Sequence, residues 1–265
     1  MFKVERKLKG MLLEMLPERF LVNLKKNHYL NALKKFDEEN EPDITALTNF
    51  VEKGDTVVDV GANVGWYTKI LAELVGSKGK VISVEPIIET FSLLTYCMKK
   101  LSFSNIVFLN CAISEREGIS KMEVPKYSFG GLDFYRARII KTNKQGPRLK
   151  TFSVVLKTLD CIFGGDSENK ISFIKCDVEG HELEVVKGAS QVILRFKPVW
   201  LIEVCSNPAK ENSPASILFK IMSEYGYNAY WFDGKKFNEY YNGCKSLNYF
   251  FFTSTQLEKL SKKEL

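Results

Sequence analysis

What this chain of 265 residues lacks narrows its options first. No apolar run approaches the ~18 residues of a membrane-spanning helix. Histidine is scarce, with only His28 and His181, which excludes a histidine-rich metal site. The six cysteines, Cys97, Cys111, Cys161, Cys176, Cys205 and Cys244, show neither close pairs nor zinc-type spacing. They read as reduced core residues, not as a disulfide framework or a zinc site. Glu14 and Pro17 interrupt the short apolar part of the basic start, and no small-residue cleavage site follows, which argues against a secretory signal. A cytoplasmic protein is the expectation. Also missing is a G-x-G-x-x-G fingerprint, the pattern that brings a helix up against a pyrophosphate, and its absence disfavours a nicotinamide-dependent oxidoreductase.

Positive charge is absent from most of the chain as a net quantity. Residues 1–36 carry nine Lys or Arg against three acids, so this stretch alone accounts for the whole net charge of +6. Within it Leu8, Met11, Leu12, Met15 and Leu16 recur at helical spacing, which makes 1–40 a basic amphipathic helical segment. Such a segment suits peripheral contact with an anionic membrane surface or an anionic substrate. The plainer expectation is a helix packed on the main domain with its lysines in water. The neutral remainder has no basic stripe and no RNA-binding module, so a nucleic-acid partner is not expected.

What is present is a regular alternation. Strand patterns at Thr56–Val60, Lys80–Glu85, Asn105–Asn110, Ile171–Cys176 and Val199–Val204 are separated by helical patterns, and NAYWFD and SLNYFFFT close the series. The pattern predicts an α/β domain over 41–255: a seven-stranded, mostly parallel sheet with an antiparallel last strand and helices on both faces. Residues 111–170 break the rhythm and read as an insertion with a two-stranded element and an acceptor-side loop. Residues 256–265 read as a charged tail.

Two stretches carry chemistry. In TVVDVGANVGWYT, Gly61 and Gly65 let the backbone approach a ligand, and the amides opening the next helix offer donors. Asp59, just before the turn, would repel a diphosphate but can hold an ammonium. Glu85 ends the next strand, where an open parallel sheet places the acid that accepts from ribose hydroxyls. The combination points to S-adenosylmethionine. The second stretch, IKCDVEGHELEVVKGA, crowds Asp177, Glu179, Glu182 and Glu184 at the end of a buried strand, which is a poor choice for folding alone.

On DVGANVGWYT, VEP, the TLD of Thr158 to Asp160, IKCDVEGHELEVVKGA and IEV, the chain resembles the FkbM family of S-adenosylmethionine-dependent methyltransferases from about Glu41 to Thr253. The resemblance implies a Rossmann-like class I methyltransferase fold and methylation of hydroxyls on sugars, glycolipids or secondary metabolites. It implies cofactor roles for Asp59, Gly61, Asn63, Gly65, Glu85 and Ala112. It also marks Asp177, Glu179, Gly180 and Glu182 as the acids and turn of the active site, with Asp177 beside the cofactor. The place of His181 is variable in the family, so Asp177 or Glu179 ranks above it as the base, although an imidazole titrates nearest neutrality.

Transfer from a sulfonium to oxygen needs positioning and one base. Lys175 and Asn207 are expected to hold the acceptor or orient the acids. Asp177, Glu203 and Asn207 also offer the oxygen ligands of a magnesium-like ion, but the adopted reading needs no metal. Glu182, Glu203, Asn207, Phe129 and Arg136 are the expected acceptor contacts, the last two from a loop in which Tyr127, Phe134 and Tyr135 also interleave with cations. Two other readings compete: a non-catalytic cofactor-binding protein, and an RNA methyltransferase.

Overall fold

The computed structural model describes residues 18–36, 42–125, 132–140, 149–165, 170–244 and 246–263. In chain order the elements are α1 (Glu18–Lys34), α2 (Pro42–Leu47), β1 (Thr56–Val60), α3 (Trp66–Val75), β2 (Lys80–Val84), α4 (Ile88–Lys100) and β3 (Ile106–Leu109). Then come β4 (Ala112–Ile113), β5 (Gly118–Pro125), a 3-10 turn (Phe134–Arg136), β6 (Arg138–Ile139), β7 (Leu149–Lys157) and α5 (Leu159–Phe163). The chain continues through β8 (Ile171–Cys176), α6 (Glu182–Lys187), α7 (Ser190–Phe196), β9 (Val199–Glu203), α8 (Pro214–Glu224), β10 (Tyr227–Phe232), β11 (Phe237–Glu239), β12 (Asn248–Thr253) and α9 (Ser254–Lys263).

β1 is buried along its whole length. The continuous apolar run TVVDV suits a strand flanked on both sides, and β1 pairs in parallel with β2 and with β8. The sheet order is β11-β10-β12-β9-β8-β1-β2-β3. The chain therefore steps outward from β1 in one direction through β2 and β3 and in the other through β8 and β9. The reversal lies between β1 and β8, and ligands of open α/β sheets bind beyond the strand ends at such a switch point. β12 runs antiparallel to both β9 and β10.

Alternate residues of β1 feed two cores, as the period of two requires. Val58 and Val60 pack with residues of α5 to α8, and Val57 packs with α2, α3 and α9. Tyr29, Leu30 and Leu33 of α1 seat that helix on Cys97 and Met98 of α4.

Four expectations need correction. The main sheet has eight strands among the described residues, not seven, because Phe237–Glu239 inside a nominally polar connection pairs with β10. Phe237 turns back onto Phe50, Phe250 and Phe252 there. The insertion forms a four-stranded sheet, β4-β7-β5-β6, around Met122, Val124 and Val154. Two of its strands have two residues each, too short to show a period. The expected charged tail is largely helix α9, with Leu257 and Leu260 against the core. Finally, Cys161 and Cys205 are exposed, so not every cysteine is a core residue.

Candidate active site

The turn after β1 is shaped by contacts its neighbours impose. The amides of Gly61 and Ala62 both donate to the carbonyl of Val84 at 3.0 Å. Gly61 has φ +82°, and a Cβ there would collide with the carbonyl oxygen of Asp177. The turn ending β1 thus rests directly on the turn ending β8, and only a bare Cα fits between them. At Gly65, φ is +102° and a Cβ would press on Leu94 and Met98 of α4.

Glu85 organises the turn from the other side. Its Oε2 accepts from the Asn63 amide at 2.9 Å, and its Oε1 accepts from the Ile87 amide and the Thr90 hydroxyl. Burial raises its carboxyl above the ordinary value, and the three hydrogen bonds oppose that rise. A carboxylate offers about four acceptor positions, so Glu85 still has capacity for a ligand hydroxyl. The Asn63 side chain leaves its Oδ1 buried with no hydrogen-bond partner. A buried orphan acceptor beside a cavity is the kind of group a ligand donor satisfies.

Asp59 behaves differently from the expectation of a direct ammonium contact. It is fully buried and accepts from Thr68 Oγ1 at 2.6 Å, and Thr68 in turn meets Ser83 at 2.7 Å. Burial raises its carboxyl, with the Lys175 ammonium pulling the other way. Its side chain lines neither cavity described below, because β1 directs it under α3, where it anchors the first helical turn.

Two cavities meet over these strand ends. The first, about 640 Å³ with its mouth, is lined by Gly61, Asn63, Glu85 and Ala112, by Phe134 and Tyr135 of the insertion, and by Asp177, Glu179 and His181. The second is lined by Phe36, Trp66, Tyr67, Tyr135, Lys175, Asp177, Glu203 and Asn248. Gly61, Asn63, Tyr135 and Asp177 belong to both walls.

The acids cluster where these walls join. Lys175 is buried, lies 3.0 Å from Asp177 Oδ2 and sits 4.7 Å from the centre of the Tyr67 ring. Burial pulls its ammonium down, but Asp177, Asp59 and Tyr67 together leave it raised. Burial, then Asp177 and Glu182, push Glu179 up to about 7 against the pull of Arg136. Burial and Asp177 likewise push Glu203 up to about 7. Glu179 holds φ +54°, a left-handed backbone that a glutamate rarely adopts.

Other expected residues take supporting places. Glu182 accepts from the Gly180 amide at 2.8 Å and lines neither cavity, so it closes the acidic turn instead of touching an acceptor. Asn207 is exposed, its Oδ1 accepts from the Ala209 amide, and its carbonyl accepts from Ser213, so it shapes the entry to α8. Among the described residues no three His, Cys, Asp or Glu gather for a metal.

His181 is buried, with Nε2 2.9 Å from Ser114 Oγ and Nδ1 3.4 Å from Glu184 Oε2. It ties the acidic turn to the segment following β4 and lines the first cavity beside Asp177 and Glu179. Arg136 is exposed and lines neither cavity, acting through its charge on Glu179. Phe129 lies outside the described residues. Sequence reasoning missed Phe36, Trp66, Tyr67 and Asn248. The signal for two of them was in plain view, since Trp66 and Tyr67 directly follow Gly65 at the ligand end of α3.

A parallel sheet with its switch point at β1 and β8, a glycine turn held by a strand-end glutamate and an acid-ended neighbouring strand define the Rossmann-like fold of class I methyltransferases. Residues 59–229 match the Methyltransferase FkbM domain, and the chain belongs to the FkbM methyltransferase family. It is similar to hexuronic acid methyltransferase AglP of Haloferax volcanii, 28% identical over 152 residues that cover 57% of this chain and 56% of that protein. It is also similar to a protein-L-isoaspartate O-methyltransferase of Methanococcus aeolicus, 34% identical over 56 residues, or 21% of this chain and 26% of that protein. Among solved structures it is similar to an FkbM methyltransferase from Methylobacillus flagellatus, with 17% identity, a TM-score of 0.47, and coverage of 76% of this chain and 43% of that one. The chain thus spans from about a quarter to somewhat over half the length of these relatives.

Proposed function

We propose that the chain is an S-adenosylmethionine-dependent O-methyltransferase acting on a hydroxyl of a sugar, glycolipid or secondary metabolite. The observation that carries this reading is the junction of two cavities at Asp177, one lined by Asn63, Glu85 and Ala112 and the other walled by rings and acids. The residues present fit that cofactor. Glu85 retains acceptor capacity for ribose hydroxyls, Ala112 lines the same cavity from the side expected for the adenine, and the orphan Oδ1 of Asn63 faces a shortage of donors that a ligand removes. When bound, the cofactor supplies a methyl group already activated on sulfonium.

The chain's own residues do the rest. Phe36, Trp66, Tyr67 and Tyr135 give an acceptor flat apolar faces and exclude water, which suits a sugar ring. Lys175 pins Asp177 through their 3.0 Å contact, leaving Glu179 as the less constrained acid, while Glu203 shares a hydrogen bond with Asp177. A base works best when it titrates near the working pH, and both are pushed to about 7. Glu179 takes the hydroxyl proton and Glu203 orients the hydroxyl from the acceptor side. The hexuronic acid named for the Haloferax volcanii relative supports a sugar as acceptor.

The test has two arms. Calorimetry on the purified chain should register S-adenosylhomocysteine binding, and the absence of any uptake ends the proposal. Glycans and lipids from cells with and without the gene should differ by one methylene in mass. Cofactor binding with no such difference would favour a non-catalytic cofactor-binding protein.

A further inference from the structure

We propose that α1 is a docking surface for an anionic lipid bilayer. The helix is not merely packed on the domain. Its inner side, through Tyr29, Leu30 and Leu33, is seated on α4, and Lys26 rests on the Tyr96 ring with Nζ 4.9 Å from the centroid, so the helix orientation is fixed. Phe20 and Leu24, one turn apart on another side, stay 51% and 42% exposed. Large apolar side chains at adjacent turns of a helix serve no purpose for folding when water surrounds them.

Charge selects the occupant. Between residues 18 and 36 there are five Lys or Arg and a single acid, Glu18. Residues 1–17 add Lys3, Arg6, Lys7 and Lys9 against Glu5 and Glu14. Immediately afterwards the sequence turns acidic at Asp37, Glu38, Glu39, Glu41 and Asp43, so the positive field stops at the end of α1. Apolar residues set among lysines form the pattern of a helix lying in a lipid interface, where anionic headgroups attract the cations and the rings and methyls enter the acyl boundary.

Placement gives the surface a use. α1 runs roughly 20 Å from Phe20 to its last turn at 1.5 Å per residue, and two residues further on Phe36 enters the ring-walled cavity and contacts Trp66 at 4.9 Å between ring centroids. A bilayer gripped by α1 would therefore border the acceptor side of the molecule.

The experiment uses the full chain and sedimentation with vesicles. Binding is expected to vesicles of phosphatidylcholine mixed with phosphatidylglycerol and not to phosphatidylcholine alone. It should weaken about tenfold between ~0.1 and ~0.5 M salt. The double variant Phe20→Asp with Leu24→Asp should lose about tenfold in partitioning while keeping its melting temperature and its S-adenosylhomocysteine binding. Equal binding to neutral vesicles, no binding to anionic ones, or a double variant that binds as the parent does would each overturn the proposal. A double variant that instead converts a dimer to a monomer without vesicles assigns the patch to a second copy of the chain. Tighter retention on RNA than on anionic vesicles assigns it to nucleic acid.

Discussion

The turns that end β1 and β8 touch one another yet solve the same steric problem in opposite ways. Each must reverse a strand into a helix with backbone in the left-handed region. After β1 those positions fall on Gly61, Asn63 and Gly65, at φ +82°, +50° and +102°, residues that adopt such angles at little cost. After β8 one falls on Gly180, at +91°, but the other on Glu179 at +54°, where the side chain gains nothing in stability from the conformation. The same residue has a carboxyl pushed up to about 7. The first turn is cheap and shaped to receive, whereas the second carries strain and an unfavourably placed acid together. Strain concentrated on one titratable residue beside a cavity supports the role proposed for Glu179.

Breaking the contact between the turns should have the largest effect. Gly61→Ala drives a methyl into the Asp177 carbonyl and forces positive φ on alanine, so a stability loss of about 3 kcal/mol or more and the disappearance of cofactor binding are expected, measured by thermal melting and calorimetry. A fully stable Gly61→Ala protein would show that the turns are not in contact.

Next in size comes the chemistry of the strained acid. Glu179→Gln preserves shape and removes the base, so S-adenosylhomocysteine release with a cell-derived acceptor fraction should fall about a hundredfold with cofactor affinity unchanged. If Glu203→Gln produces the larger fall, the two acids exchange roles.

A smaller effect follows from pH. With Glu179 and Glu203 near 7, turnover should decline towards about tenfold per pH unit below that value and level off above it. Stability runs the other way. A carboxyl raised in the fold favours the protonated state, so its contribution is fully present below the ordinary value near 4.5 and is lost as pH rises through about 7. Glu203→Gln should therefore melt at a higher temperature than the parent at pH 8, with the gap closing by pH 5. A gap independent of pH would mean that the glutamate is not titrating in this window.

The smallest effect isolates backbone strain. Glu179→Gly should be about 1 kcal/mol more stable than Glu179→Gln, since both lack the carboxylate and only one relieves the left-handed backbone. Equal stabilities would remove the strain from the comparison.

The first turn was largely legible in the sequence because its requirements are backbone requirements, and glycine, asparagine and a strand-end glutamate write them into residue identity. Asp177 is legible at the end of a strand whose apolar run is unmistakable, whereas Ala112 follows only from the family resemblance. What stayed hidden depends on where side chains point. Asp59 looks like a ligand in a motif, but its strand register sends it under α3 to Thr68. Asn207 looks like an acceptor contact, but its oxygen closes a local turn. Phe36 lies just beyond α1 and 30 residues before Trp66, a pairing that no local pattern encodes. The small second sheet escaped because β4 and β6 are shorter than any period can reveal.

Of the chain's three tryptophans, Trp200 is wholly enclosed, and Trp231 keeps its indole nitrogen sealed from solvent. Trp66 alone lines one of the two cavities, and its indole donates to the Tyr135 hydroxyl at 3.3 Å, on the wall where they join. Its emission is therefore a native optical reporter, so titrating donor and acceptor fragments separately and following colour and quenching can map the order in which the two spaces fill, without labels or radioactivity.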